Sequence, residues 1–199
     1  YTFANVRFGK VVYDLFYTTN GVMNTPINVC QKYIVVFIIF GAFLEKSGLG
    51  SLIQDIAIGL TGRYAGGPAK VAIVASALFG TISGTPSANV IGTGTFSIPM
   101  MKKLGYEPDF AGAVEAVAST GGSIMPPVMA TAAFLIAEIL GITYWDVVKA
   151  AFIPAVLYYL ALYFMVDLYS MRHHLIGLKR EEMPSFRLAI KQFYLLFPM

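Results

Sequence analysis

The chain has 199 residues, of which 57% are hydrophobic and 13% charged, and its mean hydropathy is +0.68. Soluble domains carry about 25% charged residues, so this composition excludes an ordinary soluble domain and indicates an integral membrane protein. The net charge of +3 is spread between apolar segments rather than gathered in one aromatic-laced patch, which suits a positive-inside membrane topology and not nucleic-acid binding.

Residues 1–28 mix aromatics with Arg7, Lys10 and Asp14 and turn at Asn20-Gly21 and Pro26, as an interfacial or connecting segment would. No basic region, apolar core and small-residue cleavage site open the sequence, so no signal peptide is expected. The start at Tyr1 and the stop at Phe197-Pro198-Met199, straight after an apolar stretch, read as a piece of a longer protein. Ile27 to Leu44 is apolar apart from Asn28, Gln31 and Lys32, a first crossing ending at Glu45-Lys46-Ser47-Gly48. The lone Cys30 excludes an intrachain disulfide or a cysteine metal cluster. Over residues 49–62, Leu52, Ile53, Ile56, Ala57 and Leu60 recur at helical spacing with Gln54 and Asp55 opposite, which predicts a helix lying in the interface.

Between Lys70 and Lys102 run 31 residues without Asp, Glu, Lys, Arg or His. One crossing needs about 20 apolar residues and two need about 40, so the run fits neither. Its centre is polar, GTISGTPSANVIGTGT over residues 80–95. With lysines at both ends, the economical reading is a re-entrant helical hairpin whose tip is Ser83-Gly84-Thr85-Pro86-Ser87, Thr85 and Pro86 forming the N-cap and N1 of the returning helix. Phe110 to Ile142 is likewise too long for one straight helix and is interrupted by STGGSIMPP at 119–127. The first half, about 15 Å long, ends near the bilayer midplane, and the Pro126-Pro127 pair is expected to open the second half from Val128. Ala150 to Leu168 crosses back, with Trp145 and Tyr144 as interfacial anchors, and Arg172, Lys179, Arg180, Arg187 and Lys191 follow inside. On this topology ten of the fourteen Lys and Arg residues face the cytoplasm.

Non-helical backbone at membrane depth is tolerated only where protein buries it or a wet cavity adjoins it. Each break pairs the carbonyl end of one helix with the amide end of the next, a cation pole beside an anion pole. The expected substrate and ion site comprises Ser83, Gly84, Thr85, Ser87, Asn89, Ser119, Thr120, Gly121, Gly122, Pro126 and Pro127. Carbonyls and hydroxyls of Ser83, Thr85, Ser119, Thr120 and Gly121 suit sodium, and the helix starts after Pro86 and Pro127, with Asn89, face a carboxylate. Ala88, Gly92 and Gly94 are read as helix-packing positions. Glu115 and Glu138 are the carboxylates well inside the spans, and Glu115, about one turn before the second break, is the candidate for coupling by protons instead of sodium. Because the hairpin contains no ionisable group, sodium is favoured over protons. No catalytic constellation is legible: His173 and His174 are neighbours in the tail, and GTISG lacks the form of a nucleophile elbow. The reading is therefore not an enzyme, and no cofactor or bound metal other than a coupling ion is expected.

The stretches FGAFLEKSG and GRYAGGPAKVAIVASALFGTISGTPSANVIGTGTFSIPMMKKLGYEPDFAGAVEAVASTGGSIMPPVMATAAFLIAEILGI, with the later KAAFIPAVLYY, strongly resemble the large membrane subunit of the tripartite ATP-independent periplasmic (TRAP) transporters. More closely they are similar to the fused-permease subclass served by a TAXI-type binding protein. The resemblance covers roughly residues 20–170. It implies an all-α membrane protein carrying one repeat of an inverted-repeat, elevator-type secondary transporter that takes organic anions, commonly carboxylates, from a periplasmic substrate-binding protein. A small membrane subunit or its fused equivalent, a second inverted repeat from the rest of the chain, lipid, and a bacterial or archaeal inner-membrane location are implied with it. Residues 1–70 and 143–199 would then be scaffold-like and 71–142 transport-domain. The alternative is a non-transporting membrane scaffold whose helix breaks serve packing only.

Overall fold

The computed structural model describes residues 7–18, 21–22, 24–44, 48, 50–175 and 177–178, and among these it is helical without strands. The expected end of the first crossing at Glu45-Lys46-Ser47 and the basic residues Lys179, Arg180, Arg187 and Lys191 lie outside the described residues. Helix α1 (Phe8–Phe16) buries none of its side chains. Helix α2 (Thr25–Val29) runs through a π-helical turn at Cys30–Ile34 into α3 (Val35–Leu44). Among the described residues, this rod and α9 (Tyr144–Arg172) are the helices long and apolar enough to cross a membrane. Both leave broad apolar faces uncovered, with Val36, Ile39 and Phe43 on α3 and Phe152, Ile153, Phe164 and Leu168 on α9 all exposed, as lipid-facing helices do.

Helix α4 (Gly50–Thr61) follows the expected apolar stripe, with one change of face. Ile53, Ala57 and Ile58 pack on Val71, Ala75 and Phe79 of the next helix, while Leu60 points outward. That next helix, α5 (Gly67–Ser83), and α6 (Pro86–Lys103) form the hairpin. Its tip falls at Ser83 to Pro86, where the sequence places it, but its arms are longer than the uncharged run. With 17 and 18 residues they rise about 26 and 27 Å at 1.5 Å per residue. In α5 the gain comes from Gly67-Pro68-Ala69-Lys70, which is helical because Pro68 sits at the start, where its missing amide costs nothing, and in α6 it comes from Pro86 and from Lys102-Lys103.

Small residues let α5 sit at the centre. Ala69 and Ala72 face Ala111, Val114 and Ala118 of α7 (Pro108–Gly121) and Leu162 and Val166 of α9 in the largest apolar cluster. A Cβ at Gly92 would lie 2.6 Å from the Phe79 ring, so glycine there sets the α5–α6 approach. After a non-helical stretch, α8 (Thr131–Leu140) packs Ala133 and Ala137 on Val147 and Val148 of α9. The C-terminal turn of α9 closes the base: Tyr169 stacks on Phe110 at 3.6 Å, and the hydroxyls of Ser170 and Tyr106 lie 2.8 Å apart.

Lys70, expected to mark a wet cytoplasmic end, is instead 4% exposed and ion-paired with Asp167 of α9, with its ammonium 5.0 Å from the centre of the Tyr163 ring. Burial is affordable because the pair is formed across the α5–α9 seam, where each charge compensates the other. Breaking it strands the survivor. We expect Asp167→Asn to destabilise the protein by about 3 kcal/mol, and the double variant Lys70→Met/Asp167→Leu to recover most of that loss. Thermal denaturation midpoints in detergent test this, and equal midpoints for the single and double variants would show that the pair does not hold the seam.

Candidate functional site

The two helix breaks meet. At the hairpin tip, α5 ends at Ser83 and Gly84 takes a left-handed conformation (φ +60°), its amide returning to the Gly80 carbonyl. Thr85 is extended and Pro86 starts α6. A Cβ on Gly84 would fall 2.1 Å from the carbonyl oxygen of Met129, so the tip touches the second break through bare backbone. Met129 is also left-handed (φ +51°) and buried, a conformation that costs energy for a residue with a Cβ and persists where packing imposes it. One turn deeper, Gly80 and Gly122 make a similar approach, and a Cβ on Gly122 would meet the Asn89 amide nitrogen at 2.6 Å.

The second break is longer than the sequence suggests. Pro126-Pro127, joined by a cis peptide bond, does not open a helix. α8 begins at Thr131 behind an extended Ala130, whose amide donates to the Ser123 carbonyl at 2.7 Å. Prolines at 126 and 127 pre-set their own dihedrals but supply no amides, and the left-handed Met129 between them and Thr131 prevents continuous helix. Tyr144 secures this loop from α9. Its hydroxyl lies 2.7 Å from the carbonyls of both Pro127 and Val128, with one proton to give, and its ring stacks on Phe134 at 4.4 Å. Tyr158 and Tyr159 of α9 donate to the carbonyls of Val117 and Ala118 near the end of α7. The sequence marks Tyr144 as an interfacial anchor and gives Tyr158 and Tyr159 no role. The signal that could have identified a tyrosine clamp is the adjacent pair of hydroxyl-bearing rings in the apolar middle of this helix.

A cavity of about 180 Å³ opens at this junction, between α3, the hairpin tip and the loop before α8. Ser83, Gly84, Thr85 and Thr131 give it polar edges, and Ile38, Phe79, Ile82, Val128 and Phe134 are among its apolar walls. The Ser83 hydroxyl oxygen is buried and has no hydrogen-bond partner. Helices α6 and α8 both begin at the cavity, so first-turn amides and the positive ends of two dipoles adjoin it.

Below the junction lies a second polar group. Glu115 of α7 is 1% exposed. Thr93 donates to its Oε1 and Ser97 to its Oε2, and the hydroxyls of Ser119 and Ser76 lie 3.1 and 3.4 Å from Oε1. The Asn89 amide donates to the Ser76 carbonyl at 2.9 Å.

The expected site residues therefore fall into separate surroundings. Ser83, Gly84 and Thr85 border the cavity. Ser119 turns to Glu115 and Asn89 is committed to Ser76. Thr120 is exposed and bonded to the Ala116 carbonyl, Ser87 is exposed, and Gly121 packs beneath Tyr158 and Tyr159. Gly122 serves the crossing with Gly80, and Pro126 and Pro127 shape the loop. Of the packing positions, Ala88 borders the cavity, and Gly94 faces Glu115, whose Cγ a Cβ there would approach to 3.2 Å. Glu138 is exposed in the last turn of α8.

The family profile described as "Tripartite ATP-independent periplasmic transporter, DctM component" matches residues 2–199. The chain is 30% identical over 138 residues to the uncharacterized protein YgiK of Salmonella typhimurium, covering 69% of this chain and 32% of that protein. It is 33% identical over 126 residues to the sialic acid TRAP transporter permease protein SiaT of Haemophilus influenzae, covering 63% and 20%. Over 91 residues it is 35% identical to the C4-dicarboxylate TRAP transporter large permease protein DctM of Vibrio cholerae, covering 46% and 20%. The chain thus spans a fifth to a third of the length of these relatives.

The contact between the breaks is testable. Gly84→Ala places a methyl group against the Met129 carbonyl in a strained conformation and should cost about 2–3 kcal/mol, whereas Tyr144→Phe, which removes one hydrogen bond, should cost about 1 kcal/mol. Thermal denaturation in detergent ranks them, and a wild-type midpoint for Gly84→Ala would show that the tip does not rest on the second break.

Proposed function

The chain belongs to the family of the DctM component of tripartite ATP-independent periplasmic transporters, and from that premise we propose that it forms part of a membrane permease for secondary active uptake of organic anions. The substrate arrives from a periplasmic binding protein, and an ion gradient, sodium rather than protons, drives it inward. A small membrane subunit, separate or fused, completes the assembly, and a second inverted repeat supplies the opposite wall of the site. The observation that carries this reading is the junction of the two breaks: a cavity of about 180 Å³ bordered by Ser83, Gly84, Thr85 and Thr131, with two helices starting at it and a buried hydroxyl without a partner. Fixed amide dipoles at helix starts favour an anion where, among the described residues, no Lys or Arg borders the cavity.

The substrates for which these relatives are named, sialic acid and C4-dicarboxylates, are carboxylates, which supports an anionic cargo here. The apolar remainder of the cavity wall would receive the body of the substrate. A cavity of about 150 Å³ holds a benzene-sized molecule, so a small acid suits the space. The hairpin of α5 and α6 is read as re-entrant, with both outer ends on the cytoplasmic side, and an elevator movement of the hairpin and broken helix carries the site across. The TAXI-type subclass is part of the same proposal and rests on the sequence resemblance.

Sodium-driven uptake of a carboxylate by the full-length protein in proteoliposomes is the direct test. Ser83→Ala should lower apparent substrate affinity about tenfold, the equivalent of one hydrogen bond to a charged group, without loss of membrane insertion. Unchanged uptake would remove Ser83 from the site. Cysteines placed at Lys102 and at Arg63, in a Cys30-free background, should both be labelled from the cytoplasmic side alone, and labelling from opposite sides would exclude the re-entrant hairpin.

A further inference from the structure

The junction accounts for the substrate but not for the buried carboxylate beneath it. We infer that Glu115, with the hydroxyls of Ser76, Thr93, Ser97 and Ser119, forms the seat of the coupling ion, a site for a single positive charge inside the three-helix core. The inference rests on reading the chain as part of an ion-coupled permease, and it places the ion below the tip rather than at the tip.

Charge arithmetic is the first argument. A carboxyl group that is 1% exposed must either hold a proton or face a compensating cation, and among the described residues the groups within hydrogen-bond reach of Glu115 are hydroxyls. From α5 it meets Ser76, from α6 Thr93 and Ser97, and from its own helix Ser119. The nearby titratable group on α9, Tyr159, is neutral and spends its proton on the Ala118 carbonyl. Among the described residues the buried Lys70 is paired with Asp167, and no cluster of carboxylates, histidines or cysteines forms a multivalent metal site. One negative charge is balanced by one positive charge, whereas a divalent ion would leave an excess buried.

Ligand chemistry is the second. Each hydroxyl that donates to the carboxylate keeps oxygen lone pairs, so the two carboxylate oxygens and four hydroxyls form an all-oxygen set, the kind that replaces the hydration shell of a small hard cation. Thr93 has three acceptors within reach, the Asn89 carbonyl at 2.8 Å, the Asn89 side-chain oxygen at 3.2 Å and Glu115 Oε1, for its one proton. Its bonding must therefore rearrange with whatever charge Glu115 faces. Placement is the third. The site joins both arms of the hairpin to the broken helix, and Asn89 connects it through Ser76 to the Gly80–Gly122 crossing just under the tip. Occupancy would thus tighten the elements that form the substrate junction, which is what coupling requires.

The test uses the full-length protein. In detergent without substrate, replacing choline chloride by sodium chloride at constant ionic strength should raise the denaturation midpoint of the wild type. Glu115→Gln should abolish this rise. Ser97→Ala, which keeps the charge and removes one ligand, should shift the half-saturating sodium concentration upward about tenfold, and it decides the matter should Glu115→Gln not fold. Sodium responses in both variants equal to the wild type would overturn the site. Uptake driven by a pH gradient in sodium-free buffer and abolished by Glu115→Gln would keep the site and assign it a proton, overturning the sodium reading above. Sodium stabilisation that depends on Glu115 in a protein showing no carboxylate uptake would keep the site while removing the transport reading.

Discussion

Backbone that leaves a helix in an apolar chain must find its partners within the protein, and the structure is organised around that requirement at two places. Ser83 to Pro86 and the stretch from Gly122 to Ala130 each interrupt a helix in a segment without charged residues. Neither is satisfied alone. The left-handed Gly84 rests on the carbonyl of the left-handed Met129, and the longer break is held by its own Ala130–Ser123 bond and by the Tyr144 hydroxyl. Because an unpaired amide or carbonyl in hydrocarbon costs several kcal/mol, the breaks are forced together and toward polar side chains. A cavity edged by hydroxyls and helix starts is the by-product of that solution.

Charge follows the same logic at two depths. Lys70 is buried between the hairpin and α9 and paired with the partly exposed Asp167, the arrangement in which a buried ion is tolerated. Glu115 is buried without a cation beside it and is surrounded by hydroxyls from α5, α6 and its own helix. The contrast separates a charge paired within the chain from an acid that meets only hydroxyls among the described residues. Small residues make both possible: Ala69 and Ala72 bring α5 against α7 and α9, and Gly94 leaves room for the Glu115 side chain.

The long exposed faces of α3 and α9 contrast with the tightly packed centre formed by α5, α6 and α7. Residues 71–142 hold both breaks and the hydroxyl-lined Glu115, and they meet α9 through apolar packing on Leu162 and Val166, through tyrosine hydroxyls, and through the base cluster at Tyr106, Phe110 and Tyr169. The cavity lies where α3 approaches this centre.

Helix positions, the hairpin tip and the existence of two breaks were legible in the sequence, because glycine, proline and small hydroxylated residues interrupt an apolar run for local steric and hydrogen-bonding reasons that act within a few residues. The family was legible too, through the resemblance of the long stretch that carries GTISG and STGGSIMPP to its large membrane subunit. What the sequence misjudged depended on distant partners. Lys70 read as an exposed end because Asp167 is 97 positions away, and Pro126-Pro127 read as a helix start because the hold of Gly84 and Tyr144 on the loop is invisible locally. Ser119 and Asn89 read as members of the tip site, yet the packing of α5 on α6 and α7 turned them toward Glu115 and Ser76. Only the tertiary structure decided which polar groups face one another, since that depends on the angle and depth at which whole helices cross, a quantity set by the sum of many small contacts and written in no single segment.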